Sequence, residues 1–445
     1  MPTSSISGLA SGLDTATIID QLMQLEAMPQ ARLKRRQADE KSVLSALQSI
    51  NTDVSLLGSR AETLAKAATW QTLKATSTNT AVTATASATS SPGSFTVTVD
   101  RLAVAHQLGF ATAAGLDDVV AAGGVRLTGS DGVPHDISAG SGSLKDLVSA
   151  INAADKGVQA TAVRVADGSY RLLVQATSTG ESSRFTLTNQ DGSDLLGGAA
   201  VQQGENAQLS MGLGITATSS TNTFTDLVPG VSLTIGANTA TGTTSTITVA
   251  RDSAGVKGQV KALVDQVNAM LTSLDAKTAG ASGTTAAGAL AGDATARSLR
   301  DALAETVFGG GNTSMATYGL QTDRYGKLVF DDAAFDKAYA ADPAATAAAF
   351  TTGATTAENG FAARVAAVAK SASDSVTGTV TTAIQGRNTS IDRLQDSIDD
   401  WDDRLALRRT TLERQYTALE TALSTLKSQG DWLSGQLATL PTSSS

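Results

Sequence analysis

The sequence predicts an α+β multidomain protein: a helical coiled-coil stalk of paired N- and C-terminal segments, with β-rich head domains inserted between them. Three observations lead there. Apolar residues near both ends recur at alternating three- and four-residue steps, the repeat of a coiled-coil seam. The middle of the chain changes to a period of two, the alternation of half-buried strands. An Asp-Gly pair at 167–168 joins two such runs, a strong hairpin signal.

The first element is "SSISGLASGLDTATIIDQLMQLEAMP" (4–29). It stands where an export signal would, yet Asp14, Asp20 and Glu26 interrupt it and the first basic residue is Arg32. A secretory signal needs a basic start and an unbroken apolar run, and a membrane span needs about 20 apolar residues. The segment reads instead as a helix capped by Asp14 or Thr15, with Ile18, Leu22 and Leu25 at helical spacing. Pro29 is expected to end or kink it. Next, Val43, Leu47, Ile50, Val54, Leu57, Ala61 and Leu64 form the N-terminal seam. Near the other end Ile391, Leu394, Ile398, Trp401 and Leu405 form its counterpart, followed by Leu412, Tyr416, Leu419, Leu423 and Leu426. The consecutive four-residue steps around Leu412 resemble a stutter, which locally unwinds a supercoil.

Between the ends, strands are expected at 94–99, 158–176 (the hairpin), 184–188, 231–235 and 245–249, and helices at 143–155 and over Val260–Leu274. The Gly/Ala/Thr-rich stretch 278–293 reads as a linker. In "TDRYGKLVFDD" (322–332) a hairpin turn at Tyr325-Gly326 precedes a helix capped near Asp331 or Asp332. Lone helices are marginal in water, so the terminal segments should pack together or on a neighbour. Closing a flexible loop of about 330 residues costs roughly 5 kcal/mol, while each fully buried Leu or Ile returns about 1.5–3 kcal/mol. A few seam contacts therefore offset closure. The expected domains are 1–40 with 386–445 as terminal leg helices, a reading that allows them to be disordered in the free protein. Residues 41–75 with 255–385 form the stalk, 76–110 with 205–254 one head domain, and 111–204 a second, inserted one.

Composition narrows the function. A net charge of −9 argues against a nucleic-acid footprint. There is no cysteine and aromatics are 4%, which leaves thin, hydroxyl-rich cores, like those of an extracellular or surface-assembled structural protein and unlike those of a compact enzyme. His106 and His135 lack the spacing of a zinc motif, and are placed at a strand end and in the "SDGVPHD" turn. "DRYGKLVFDDAA" lacks the ligand pattern of a calcium loop, and "FGGGN" (308–312) lacks the Lys-Ser/Thr of a phosphate loop, so it is taken as a flexible connection. No catalytic, cofactor-binding or metal residue is assigned.

Seven segments carry a family resemblance. "ISGLASGLDTATIIDQLMQLEAMP" resembles the N-terminus of the flagellar filament cap, or hook-associated protein 2, family. "SPGSFTVTVDRLAVAHQL" (91–108) and "STNTFTDLVPGVSLTI" (220–235) resemble its strand blocks. "GSLKDLVSAINAADKGVQATAV" (142–163) is similar to an insertion module of flagellar axial proteins. "LAGDATARSLR" (290–300), "YGLQTDRYGKLVFDDAAFDKAYAADPAATAAAF" (318–350) and "LKSQGDWLSGQL" (426–437) resemble its C-terminal half. The resemblance implies a non-enzymatic ring at the tip of the bacterial flagellum that promotes flagellin folding and polymerisation and prevents flagellin loss. It implies export through the flagellar type III apparatus without a Sec signal. The implied partners are further copies of the chain, flagellin, the hook–filament junction protein and an export chaperone, with no nucleic acid and no membrane insertion.

On this reading Leu9, Leu13, Ile18, Leu22, Leu25, Leu412, Tyr416, Leu419, Leu423 and Leu426 contact a neighbouring subunit or flagellin. Val43, Leu47, Ile50, Val54, Leu57, Leu64, Ile391, Leu394, Ile398, Trp401 and Leu405 form the stalk seam, as intramolecular core or as subunit contact. Leu426, Trp432 and Leu433 are assigned to the chaperone, with a staple between Trp432, Leu433 and the N-terminal segment as the alternative. Two other readings stand: a surface adhesin binding host glycans such as mucin through the Thr/Ser-rich head, and another axial protein such as flagellin.

Overall fold

Asp14 starts the first helix, α1 (Thr15–Glu26), by accepting a hydrogen bond from the Thr17 amide at 3.0 Å. The computed structural model describes residues 12, 14–308 and 314–438. Helix α2 (Met28–Ala65) follows after a single residue, Ala27, whose amide still bonds the Met23 carbonyl. The first helix is thus interrupted where Pro29 leads the sequence to expect it, and Pro29 itself opens the next one. It occupies the first turn, where the N–H it lacks would have no intrahelical partner. The chain divides into two units, Met1–Thr69 with Gly255–Ser445, and Trp70–Ala254.

The second unit is built from fifteen strands and one helix among the described residues: β1 (Leu73–Ser77), β2 (Val82–Ala86), β3 (Gly93–Arg101), β4 (Ala105–Phe110), β5 (Val125–Gly129), β6 (Pro134–Ile137), α3 (Leu144–Ala153), β7 (Val158–Ala166), β8 (Ser169–Thr179), β9 (Phe185–Asn189), β10 (Ala199–Gln202), β11 (Ala207–Ser210), β12 (Thr216–Ser219), β13 (Thr223–Val228), β14 (Val231–Ile235) and β15 (Thr244–Arg251). They make two lobes, each with its own core. In the first, the sheet β1-β15-β3-β11-β12 and the sheet β13-β14-β2 share Val82, Val97, Val99, Leu209, Leu233 and Ile247. The period-two pattern is what buries these: Val97 and Val99 face inward while Thr96 and Thr98 face out, bonded across to Thr246 and Thr244. In the second, the sheets β10-β4-β8-β7 and β6-β5-β9 share a core with α3 that includes Phe110, Val125, Leu147, Ile151 and Val174. Asp167-Gly168 turns the β7–β8 hairpin, with Gly168 at φ +67° and Ala166 opposite Ser169.

Three features differ from the sequence reading. Leu73–Ser77 pairs with β15 in the head sheet rather than belonging to the stalk. Strand β4 pairs with β8 and β10, so Leu108 and Phe110 sit in the inserted lobe and its boundary moves back to about residue 104. His135 lies in strand β6 opposite Leu127, since the turn closes earlier, at Gly129–Gly132.

The first unit continues with α4 (Ser253–Thr278), α5 (Ala294–Glu305), β16 (Leu320–Thr322), β17 (Leu328–Phe330), α6 (Asp332–Ala341), α7 (Pro343–Ala348), α8 (Phe361–Ser373) and α9 (Thr379–Ala438). The 278–293 stretch is loop, tied down by the Leu290 amide on the Lys277 carbonyl. Asp323 and Gly326 turn the β16–β17 hairpin, and Asp331 caps α6 through the amides of Ala333 and Ala334. "FGGGN" lies, except for Phe308, outside the described residues. Helices α2 and α9 run unbroken through the expected leg–stalk boundaries at 40/41 and 385/386.

Candidate functional site

The long helices α2 and α9 run antiparallel, and hydrogen bonds fix their register. Arg387 of α9 reaches Glu40 of α2 at 2.9 Å and Asp293, the α5 cap, at 3.4 Å. Gln37 Nε2 donates to Gln395 Oε1 at 2.8 Å, and Gln30 Nε2 to Asp402 Oδ1 at 2.5 Å and the Ile398 carbonyl. Further along, Glu26 meets Arg408 at 3.3 Å and Asp20 meets Arg409 at 2.7 Å, which lays α1 on the distal half of α9.

That register differs from the pairing expected of the two seams. Residues 391–412 lie opposite 18–37, not 43–64. The N-terminal seam packs on α8 instead: Gly58 sits so close to Ala369 that a Cβ there would come within 3.1 Å of its methyl, and the Thr352 amide bonds the Ala65 carbonyl. Leu47, Ile50, Val54, Leu57 and Leu64 are fully buried and Val43 is half-buried; on α9, Leu394 and Ile398 are buried while Ile391, Trp401 and Leu405 are half-buried.

The proposed contact residues separate into covered and open. Leu9 and Leu13 lie outside the described residues. Leu412, assigned to a neighbour, is closed off, buried as is Ile19 across the α1–α9 pairing. Ile18, Tyr416 and Leu423 are half-buried. Leu22, Leu25, Leu419, Leu426, Trp432 and Leu433 are exposed. Beside them, an open groove of about 1120 Å³ between α1 and distal α9 is lined by Thr15, Ile19, Thr410, Tyr416 and Thr421 among others.

The sequence held a signal that the stutter obscured. Ile391, Ile398, Leu405, Leu412, Leu419, Leu426 and Leu433 follow one another at seven-residue steps, a single seam line down α9. Its exposure rises from 6% at Leu412 to 45% at Leu419 and 62% at Leu426. Among the described residues, α1 covers the line at Leu412, while Leu419, Leu426 and Leu433 are exposed. The buried amides Gln30 and Gln37 were also missed; they are seven residues apart, so they could have been read as polar seam positions.

Among the described residues no group of three or more His, Asp or Glu is placed to hold a metal, and no helix is long and apolar enough to cross a membrane. Two antiparallel helical rods whose seam is exposed at Leu419, Leu426 and Leu433 among the described residues, with a two-lobed β insertion, define a protein of the helical-stalk class. Comparison specifies which. Residues 204–428 match the family described as flagellar hook-associated protein 2 C-terminus, residues 11–106 its N-terminus, and residues 124–178 the flagellin hook IN motif. The chain belongs to the flagellar hook-associated protein 2 family. It is 28% identical to the A-type flagellar hook-associated protein 2 of Pseudomonas aeruginosa over 99% of this chain and 98% of that one. It is 27% identical to the flagellar hook-associated protein 2 of Escherichia coli K12, over 98% of each. Among solved structures it resembles the D1, D2 and D3 domains of the flagellar cap protein FliD from Escherichia coli, with a TM-score of 0.59 and 25% identity, covering 77% of this chain and 99% of that one.

Proposed function

We propose that this chain is a subunit of the flagellar filament cap, a structural protein that forms a ring at the filament tip, retains arriving flagellin and promotes its folding and polymerisation. The observation that carries the reading is the similarity to the solved flagellar cap protein across its three domains. The open end of the α9 seam gives that role a physical basis. Apolar side chains left in water at seven-residue spacing form half of a coiled coil and accept another helix. Leu22, Leu25, Leu419 and Leu426 are the residues we assign to flagellin or a neighbouring copy, and Leu426, Trp432 and Leu433 to an export chaperone before assembly. A closed ring follows from one head-to-tail interface whose rotation closes. The route through the flagellar type III apparatus, and contact with the hook–filament junction protein at the start of assembly, belong to the same proposal.

The test is a strain lacking this gene, complemented with the wild-type gene or with L419D/L426D. The null strain is expected to release flagellin monomers and show no filaments by electron microscopy. Wild type should restore them and the double variant should not. Normal filaments on the null strain would end the proposal.

A further inference from the structure

The two lobes of the second unit meet at a narrow junction, where residues 102–106 and 203–206 cross between their cores. The crossings pair with each other: the Val104 amide bonds the Glu205 carbonyl at 2.9 Å and the Glu205 amide bonds the Val104 carbonyl at 3.1 Å. The Gly180 amide also donates to Val104, and Thr179 Oγ1 donates to the Ser220 carbonyl at 2.7 Å. His106 lies inside this junction, 4% exposed, with its ring edge-on to Phe185 at 4.9 Å. Its Nδ1 accepts the Gly204 amide at 3.2 Å, and its Nε2 is buried with no hydrogen-bond partner at bonding geometry. Glycine is required at two positions of the junction. A Cβ on Gly204 would come within 2.6 Å of the Gly180 carbonyl and 2.7 Å of Ser183 Oγ; Gly180 has φ +95°, and a Cβ there would meet Ser220 at 2.8 Å.

Acceptance at Nδ1 requires the neutral ring, with its proton on Nε2. An imidazolium carries hydrogens on both nitrogens, so protonation turns Nδ1 into a donor facing the Gly204 N–H. The bond is then lost, and two donors and a buried charge oppose each other. The charged groups at the junction do not relieve this. Arg184 donates to the Gly204 carbonyl at 2.8 Å and adds like charge; Glu181 is taken up by Arg184 at 3.7 Å and Glu205 by Arg101 at 3.6 Å. Strand β4 holds no other titratable group.

We propose that neutral His106 is a latch between the two lobes, and that its protonation releases the 203–206 crossing and frees the lobes to move. Burial lowers the affinity of His106 for a proton, with the Phe185 backbone opposing and Arg184 reinforcing that shift. A histidine so depressed supports the junction above the unfolded value of about 6.5, and that support is lost as pH falls from there through the folded-state value.

The test uses the full chain. Hydrogen exchange, corrected for intrinsic rate, is followed in peptides spanning 102–108 and 202–206 at pH 7.5 and 5.0. Protection in the wild type is expected to fall at least tenfold at pH 5.0, and in H106Q, whose amide oxygen can accept from Gly204, to be the same at both pH values. An equal fall in H106Q, or none in the wild type, overturns the proposal. The titration of His106 by NMR needs no variant: its midpoint must lie below the ordinary value of about 6.5, and a midpoint above that also overturns the proposal.

Discussion

At the scale of single residues, Gly58 sets how closely α2 and α8 approach. A methyl there would already crowd Ala369, and the alanines Ala362, Ala366 and Ala369 of α8 show why: the two helices approach through small side chains. Gly58→Leu is therefore expected to cost about 2–3 kcal/mol by overpacking, measured by denaturant unfolding, even though leucine is the better helix former. The α1 cap offers a pH-dependent counterpart. The Asp14 carboxylate titrates below its usual value, first because the Thr17 hydroxyl donates to it and then because the Thr17 amide does. A depressed carboxylate supports the folded state above the unfolded value of about 3.9 and loses that support as pH falls through its folded value. Fraying of α1, followed by exchange of the Thr17 and Ile18 amides, should thus set in only in acid for the wild type. In D14A it should be present at neutral pH.

At the scale of elements, the seam is informative because it is not uniformly apolar. Gln30 and Gln37 are buried at seven-residue spacing and hold α9 through Asp402, Ile398 and Gln395. A slip by one helical turn would leave these amides against aliphatic side chains, so they define one register at a cost in stability. The expected signature is a double-mutant cycle. Q37L alone removes the bond to Gln395, whose exposed Oε1 then turns to water, and should destabilise by about 0.5–1.5 kcal/mol; in the Q395L background the same change should cost less, because the bond is already gone. Additive losses would remove the register role. The same elements show what sequence could convey. The period-two runs, the Asp-Gly hairpin, the Asp14 and Asp331 caps and the apolar face of α4 were legible because each is a local pattern with a local cause. The pairing of α2 with α8 was not. Helix α8 is rich in alanine and valine with no strong seam of its own, and only the fold brings Ala369 beside Gly58. Short strands such as β10–β12 were also missed, because four residues are too few to establish a period.

At the scale of the whole molecule, the inserted unit enters through β1 and leaves through β15, which pair antiparallel with Leu73 opposite Arg251. Its ends are therefore joined within its own sheet, and both lobe cores are complete within residues 70–254. That separates two kinds of residue: those holding each unit together and those left over. The candidate site was half legible from sequence on this account. Spacing identified the apolar line on α9, but only the fold shows that α1 covers it at Leu412 and that Leu419, Leu426 and Leu433 are exposed. Burial stabilises only what it covers, at roughly 25 cal/mol per Å², so the open end of α9 contributes little to the free chain. Removing residues 426–445 is expected to leave the denaturant midpoint unchanged while abolishing filament growth in the complemented strain. A large drop in stability would mean that this segment is core. Unchanged filament growth would mean that the seam's open end binds nothing the filament needs.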